Sequence, residues 1–295
     1  MKKIITLFFT ILLSQIIYSQ DYQIEFQTHC ETQDTINQLK VLKKWQSERP
    51  KDPELFVSFF NYHFMKSRKE VLSLTGQNNS QDGLVMKDSL GKTKGFISSQ
   101  LSYDEVEIRK GLSVIEDGIK LYPDRLDMRF GKVYVLGQIQ DWQAYTKEII
   151  KTVQRSSINK NQWAWPGEED NGEENFLLTI QDYQVQLYNT GDDSLLKYMR
   201  EIATEILKYY PTHVPSLSNI SITYLIAGEY EKGIEALKRA EKINPSDFIV
   251  LSNIAHGYKL KGDKANAIEY YKKVIKHGDE KVKAFAKQQI TDLKQ

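Results

Sequence analysis

The segment NQWAWPGEEDNGEEN, residues 161–175, contains the residue types best suited to chemistry in this chain. Trp163 and Trp165 could form a stacking platform for a sugar, and the five carboxylates that follow could supply a general acid and a general base. Adjacent acids in a glycine-broken loop are usually solvated, however, and these acids precede a predicted helix whose positive end they favour. We therefore predict that both tryptophans cover helix ends as local core, and contact with a glycan ligand is the alternative.

The other candidate residues form no recognisable catalytic or metal site. Cys30 is the only cysteine, and its sequence neighbour His29 is not expected to act as its catalytic base. The histidines are scattered and show neither an HExxH pattern nor a Cys/His metal spacing. Residues 91–93 read GKT, but a phosphate-binding loop needs a glycine at the place that Met86 occupies. The sequence therefore predicts no catalytic residue, no metal ligand and no cofactor.

The composition indicates a folded protein that does not bind nucleic acid. The 295 residues include 40 Lys and Arg against 39 Asp and Glu, so there is no basic excess to bind phosphates. Hydrophobic residues make up 40% of the chain and aromatic residues 11%, which is enough for a folded core. The length permits one elongated domain or two compact ones.

Residues 1–20, MKKIITLFFTILLSQIIYSQ, have the pattern of a secretory signal peptide. Two lysines precede an apolar run of about fourteen residues, which is too short to span a bilayer comfortably. We predict cleavage near Ser19 or Gln20, and an uncleaved anchor is the alternative. No later segment is long and apolar enough to be transmembrane. The mature protein is expected to be exported, either periplasmic or secreted, and soluble, with no stable membrane insertion.

A repeat of 34 residues occupies the C-terminal part of the chain. When residues 214–247 are aligned with residues 248–281, the motif LSNI recurs at the same place and Gly228 falls on Gly262. Each unit contains apolar residues at spacings of three and four, which predict two helices with a glycine at the turn between them. A period of this length with this pattern resembles the tetratricopeptide repeat. Gly233 stands where the family has a small residue, and glycine weakens that helix by about 1 kcal/mol against alanine.

Helical periodicity continues upstream, over residues 21–211, where the repeat is divergent and prolines separate the helices. A small β-hairpin is predicted within an insertion at about residues 72–102, and the tryptophan and acidic loop forms a second insertion at about residues 157–175. Residues 212–295 contain the two clear repeats and a polar capping helix. The predicted fold is therefore all-α: a tetratricopeptide-like α-solenoid, or right-handed superhelix, of about five helix pairs with one helix at each end.

The resemblance also implies a binding surface. In the tetratricopeptide repeat family the first helix of each repeat lines a concave face, where asparagine often bonds the backbone of a bound peptide. Asn219 and Asn253 occupy equivalent places on consecutive first helices, and Ile222 and His256 occupy another position on that face. The resemblance implies that these four residues bind a partner, and the alternative is that the asparagines only pack the stack.

Some members of the family recognise an acidic peptide C-terminus with lysine and arginine on the first helices. The matching positions of this chain hold uncharged residues: Pro215, Ser218, Ile249 and Ser252. The partner implied here is therefore not an acidic C-terminus.

The resemblance implies an exported, non-enzymatic scaffold that binds a peptide or protein partner in its concave groove. Two other classes of function stay open at this point. One is an exported glycan-binding or glycan-processing accessory protein that uses Trp163 and Trp165. The other is a structural subunit that buries the groove or one solenoid end inside a larger complex.

Overall fold

The computed structural model describes residues 21–76, 84–167 and 172–295. The predicted signal peptide therefore lies outside the described residues. The chain divides into two compact units, the first ending at Val135 and the second beginning at Leu136. Paired helices make up most of both units, and one small antiparallel sheet is inserted in the first. This architecture confirms the predicted all-α class of tetratricopeptide-like helix pairs with a small β insertion.

The first unit begins with a helix that the sequence reading did not predict. Residues 21–31 are helical and form α1, which is followed by α2 (Thr35–Glu48) and α3 (Pro53–Ser67). The ring of Tyr22 stacks on that of Trp45 with centroids 5.7 Å apart, and its hydroxyl donates to Glu48 at 2.6 Å. The sequence predicted one leading helix at this place. The structure has a pair of helices instead, because α1 packs on the apolar face of α2.

A three-stranded antiparallel sheet follows α3. It consists of β1 (Arg68–Thr75), β2 (Leu84–Lys87) and β3 (Thr93–Tyr103), in the order β1-β3-β2. The predicted hairpin corresponds to β2 and β3, but the insertion is larger than predicted because β1 adds a third strand. This strand pairs Arg68 with Tyr103 across a long sequence separation. Its charged start also resembles a continuation of α3, so local patterns do not reveal it.

Two further helices complete the first unit. They are α4 (Glu105–Leu121) and α5 (Leu126–Gln138), the second of which runs across the boundary at Val135. Helices α3 and α4 approach closely at a glycine, since a Cβ added to Gly118 would lie 2.9 Å from the Cβ of Phe56.

The second unit consists of helices joined by short turns. A turn of 3-10 helix at Asp193–Leu195 precedes the eighth helix. The helices are α6 (Trp142–Asn159), α7 (Glu173–Asn189), α8 (Leu196–Tyr209), α9 (Val214–Ile226), α10 (Tyr230–Ile243), α11 (Phe248–Lys261), α12 (Lys264–His277) and α13 (Glu280–Lys294).

The turns inside the two clear repeats follow the sequence prediction. Gly228 has a φ of +75° and Gly262 a φ of +83°, which is the left-handed conformation that ends a helix most readily at glycine. The last helix, α13, packs against the core of the two repeats through its buried Ala286 and Leu293.

Aspartate side chains set the start of many helices by accepting hydrogen bonds from backbone N–H groups of the first turn. This arrangement satisfies donors that have no partner within the helix. The aspartates are Asp34, Asp52, Asp104, Asp141, Asp247, Asp263 and Asp279.

Candidate functional site

The residues predicted to bind a partner lie around one groove of the second unit. The groove has a volume of about 670 Å³ and is lined mainly by α7, α9 and α11, with one residue each from α8 and α10. Asn219 and Ile222 come from α9, and Asn253 and His256 come from α11. The two asparagines and their neighbours are brought together because each lies on the same face of a first helix, at spacings of three and four.

Most of the lining is apolar, and none of the lining residues is an aspartate, glutamate, lysine or arginine. Four of the apolar side chains are about two-fifths exposed although they are large: Val185 40%, Tyr188 43%, Ile226 41% and Leu260 42%. Grooves lined by apolar side chains with a few polar groups are typical of binding sites, as is a volume of about 300–1,000 Å³. The groove can therefore bury apolar groups of a partner.

Sequence reasoning missed these four apolar residues, although a signal for two of them was present. Ile226 follows Ile222 by four positions, and Leu260 follows His256 by four, so each extends the predicted face by one helical turn. Val185 and Tyr188 lie on α7, where the repeat is divergent and the face cannot be assigned by alignment to the clear repeats.

Close contacts between neighbouring helices position the groove wall. A Cβ added to Gly233 of α10 would lie 2.8 Å from Cδ2 of Leu225, which lines the groove. A Cβ added to Gly257 of α11 would lie 2.9 Å from Cγ1 of Ile234. The small residue at position 233 is therefore a packing requirement at this place, and it sets how closely α10 approaches α9.

The two asparagines have different environments. Asn219 is 6% exposed, and its amide forms a reciprocal pair with Gln181 of α7, with N···O distances of 2.8 and 3.1 Å. Asn253 is exposed, and within the described part of the chain its side chain forms no hydrogen bond. Asn219 thus joins two helices at the groove wall, whereas the donor and the acceptor of Asn253 are free for a partner.

A buried hydroxyl is a further polar group of the groove. Ser221 is 2% exposed and lines the groove, and its Oγ has no hydrogen-bond partner among the described residues. A buried hydroxyl without a partner costs about 1–3 kcal/mol, so it is a group that a bound molecule can satisfy. No sequence signal distinguishes this serine from an ordinary helix residue.

The lining also contains the imidazole of His256. Burial lowers its pKa, and the positive charge of Lys259 lowers it further. The ring is therefore neutral at neutral pH, in keeping with the uncharged character of the groove.

The tryptophan loop lies outside the groove, between α6 and α7. Trp163 is 9% exposed, stacks on Phe176 with centroids 5.5 Å apart, and donates from its indole nitrogen to Asn161 at 3.4 Å. Trp165 is partly buried. The side chain of Asn161 also donates to the hydroxyl of Tyr210 at 3.0 Å, so this loop is tied to the end of α8.

Two acids of the acidic run lie in the described part of the chain. Glu173 and Glu174 lie in the first turn of α7, where their charge favours the positive end of the helix. The other three acids of the run are residues 168–170, which lie outside the described residues.

The remaining sequence candidates lie apart from the groove. Gly91 and Lys92 lie at the end of the turn between β2 and β3, and Thr93 is the first residue of β3, so a strand rather than a helix follows the turn. Cys30 is a free cysteine on the surface, and partial desolvation of its sulfur, together with the negative charge of Glu31, raises its pKa. In the described residues no three His, Cys, Asp or Glu side chains are grouped so that they could hold a metal ion. Among the same residues, no helix combines the length and the apolar character that crossing a membrane requires.

Comparison with known proteins finds one family match, in the C-terminal part of the chain. The tetratricopeptide repeat profile matches residues 214–247 and 250–276. No curated protein sequence matches the chain significantly.

Three solved structures illustrate the structural similarity. MamA is 13% identical, with 61% of this chain and 87% of that chain covered and a TM-score of 0.39. YrrB, described as a TPR protein with an unusual peptide-binding site, is 12% identical, with coverages of 84% and 97% and a TM-score of 0.41. A tetratricopeptide repeat protein from Parabacteroides merdae ATCC 43184 is 9% identical, with coverages of 93% and 90% and a TM-score of 0.36.

The profile match covers the two repeats whose glycine turns and helix pairs were described above. Residues 214–276 are therefore similar to the tetratricopeptide repeat both in sequence and in the pairing of their helices.

Proposed function

We propose that this protein is an exported, non-enzymatic scaffold that binds an uncharged, apolar segment of a partner protein in the groove of its second unit. The tetratricopeptide repeat match of residues 214–247 and 250–276 supports the general role of a protein-interaction scaffold. The observation that carries the more specific proposal is the groove itself, with its volume of about 670 Å³ and its uncharged, largely apolar lining. Export rests on the signal-peptide pattern of residues 1–20.

The lining determines which partner chemistry is favoured. Val185, Ile226 and Leu260 offer exposed aliphatic surface, so aliphatic or aromatic side chains of the partner gain free energy by burial. A charged side chain would lose its hydration there without finding an opposite charge, which is costly. We therefore expect the bound segment to carry no charge at the residues that enter the groove.

Hydrogen bonds would orient that segment. The free amide of Asn253 can donate to a backbone carbonyl and accept from a backbone N–H of the partner. The buried Oγ of Ser221 can form a bond that it lacks within the described residues. Asn219 contributes indirectly, because its pair with Gln181 holds α9 against α7. Binding of this kind involves no covalent step.

The experiment is site-specific photo-crosslinking in living cells. A photo-reactive amino acid is introduced at position 256, in the groove, or at Lys272, which is exposed on α12 and does not line the groove. We expect one predominant crosslinked protein from position 256 that is absent from position 272. Identical crosslinks from both positions would contradict the proposal.

A matched pair of substitutions then tests the groove. Ile226 and Ile243 are each the last residue of a helix and are 41% and 40% exposed, but only Ile226 lines the groove. Ile226→Asp should reduce the crosslink by about tenfold or more, because it introduces an unpaired charge into the apolar lining. Ile243→Asp should leave the yield unchanged. Equal effects of the two substitutions would show that the groove is not the binding surface.

A further inference from the structure

One end of the sheet of the first unit is joined to the helices. At that end the backbone N–H of Asp104 donates to the carbonyl of Ser67 at 2.8 Å, and the ring of Tyr103 stacks on that of Phe64. Strand β3 leads from this junction to the β2–β3 turn, and its residues rise by about 3.3 Å each, which gives about 33 Å over the strand. We call residues 84–94, at the far end of the sheet, the arm tip.

The arm tip presents apolar side chains in several directions. Leu84 and Met86 lie on one face of β2, and Val85 lies on the other, because successive side chains of a strand alternate. Leu90 lies in the turn and is 91% exposed, while Leu84 is 71% exposed. A partner protein that covers one face of the sheet would leave the opposite face and the turn in water.

The turn holds Leu90 in this position. The carboxylate of Asp88 accepts hydrogen bonds from the backbone N–H groups of Leu90 and Lys92 at 3.0 and 2.9 Å. Gly91 adopts a φ of +77°, and its N–H donates to the carbonyl of Asp88 at 2.9 Å. The exposure of Leu90 therefore belongs to an ordered turn and not to a loop without internal bonds.

The charge of the arm tip is positive. The tip contains three lysines, Lys87, Lys92 and Lys94, and one acid, Asp88. Its net charge is therefore +2. Asp88 is already engaged by the turn and by Lys94 at 3.7 Å. The side chains of Lys87 and Lys92 have no ion-pair partner among the described residues. The complementary surface is therefore anionic.

A second copy of the chain fits these observations poorly, because two positively charged tips would repel each other. A fluid apolar phase fits better, since it can surround the turn and both faces of the sheet together. The interface of a lipid bilayer offers this combination: acyl chains for aliphatic residues and anionic headgroups for lysines.

We propose that the arm tip is a peripheral membrane-binding element that inserts Leu90 and its aliphatic neighbours into the surface of an anionic bilayer. Lys87 and Lys92 contact the lipid headgroups. The tip attaches the scaffold to the membrane surface without spanning it, and this attachment is independent of partner binding in the groove.

The test is co-sedimentation of the full chain with lipid vesicles, either pure phosphatidylcholine or phosphatidylcholine with about a quarter of phosphatidylglycerol. The wild-type chain should bind the anionic vesicles and bind the neutral ones much more weakly. Leu90→Ser and the double substitution Lys87→Glu/Lys92→Glu should each lower the partition coefficient by about tenfold.

Two control variants match these changes elsewhere on the surface. Leu178→Ser alters an exposed leucine of α7, and Lys281→Glu/Lys287→Glu makes the same charge change on α13. Both controls should bind as the wild type does. All variants should keep the wild-type thermal unfolding transition, because the substituted side chains are exposed.

Three outcomes would overturn the proposal. The first is a wild-type chain that does not sediment with anionic vesicles. The second is binding that the tip substitutions leave unchanged, which would assign it to another part of the chain, residues 1–20 included, since every variant retains them. The third is a concentration-dependent dimer in sedimentation equilibrium that Leu90→Ser dissociates, without vesicle binding, which would make the tip a self-association surface.

Discussion

At the residue scale, equivalent positions of the two repeats have acquired different roles. The sequence treats Asn219 and Asn253 as the same residue in consecutive units, since both fall in the motif LSNI. In the folded chain Gln181 approaches Asn219 and removes it from solvent, whereas Asn253 stays exposed. Alanine substitution at position 219 should therefore lower stability, whereas alanine substitution at position 253 should lower partner binding.

We predict that Asn219→Ala lowers the free energy of unfolding by about 1–2 kcal/mol, because it leaves the amide of Gln181 without its partner. Asn253→Ala should change it by less than about 0.5 kcal/mol, since an exposed side chain without bonds is removed. Partner crosslinking should instead fall with Asn253→Ala. Urea unfolding measures the first quantity, and equal losses of stability for the two variants would contradict the asymmetry.

The tryptophan loop gives a second prediction at this scale. Trp163→Ala should lower the free energy of unfolding by about 3 kcal/mol, because the ring is buried against Phe176. Trp165→Ala should cost less, since Trp165 is only partly buried. Thermal unfolding of both variants is compared with glycan-array screens of the wild type and of both variants. Glycan binding that is lost in variants of unchanged stability would favour the glycan-binding alternative.

At the scale of elements, the packing of α10 against α9 determines how Gly233→Ala changes the free energy of unfolding. Helix propensity alone gives the opposite sign. Propensity favours Gly233→Ala by about 1 kcal/mol. The added Cβ would lie 2.8 Å from Leu225 and 3.1 Å from the carbonyl oxygen of Ser221, and overpacking of this kind costs about 1–3 kcal/mol. We predict a net loss of about 1 kcal/mol in urea unfolding, and a stabilised variant would refute the packing requirement.

The pairing of α3 with α4 depends on the ionisation of Glu107. Lys110 donates a hydrogen bond to this carboxylate, His63 Nδ1 lies 2.8 Å from it, and the ammonium group of Lys66 lies 3.4 Å from it. These groups lower the pKa of Glu107 to about 2, with the bond from Lys110 as the largest cause, although burial opposes the shift.

A folded-state pKa below the unfolded value of 4.5 means that Glu107 stabilises the fold at every pH above about 4.5. This contribution should be lost progressively as the pH falls from about 4.5 towards 2. Glu107→Gln should therefore be less stable than the wild type at pH 6, and the difference should shrink at pH 3. Urea unfolding of the wild type and of Glu107→Gln at both pH values measures this difference in stability. A difference that is the same at pH 6 and pH 3 would contradict the lowered pKa of Glu107.

At the scale of the whole molecule, the proposed functions occupy separate parts of the chain. The groove belongs to the unit that begins at Leu136, and the arm tip belongs to the unit that ends at Val135. Substitutions at the arm tip should therefore leave groove crosslinking intact when the protein is assayed in solution. Ile226→Asp should likewise leave vesicle binding intact.

Export is the remaining prediction at this scale. If residues 1–20 act as a signal peptide, the protein recovered from the cell envelope or the medium should begin near residue 20 or 21. Intact-mass spectrometry of the purified protein checks this expectation. A full-length mass in the cytoplasmic fraction would refute it, whereas a full-length mass in the membrane fraction would favour the uncleaved anchor.

Much of the architecture follows from the sequence by itself. The recurrence of LSNI and of Gly228 at Gly262 determines the repeat register, and the resemblance to the tetratricopeptide repeat implies that Asn219, Ile222, Asn253 and His256 lie on one face. These features are local, because the spacing of side chains along one helix and the conformation of a glycine turn depend on adjacent residues.

Only the tertiary structure decided the features that depend on distant neighbours. Gln181 lies 38 positions from Asn219, with which it forms hydrogen bonds. Strand β1 pairs with β3 so that Arg68 lies opposite Tyr103. The contact at Gly233 and the unpartnered hydroxyl of Ser221 likewise arise from packing between helices. Whether a side chain is buried, paired or free is a property of the surfaces that meet it, and those surfaces come from elsewhere in the chain.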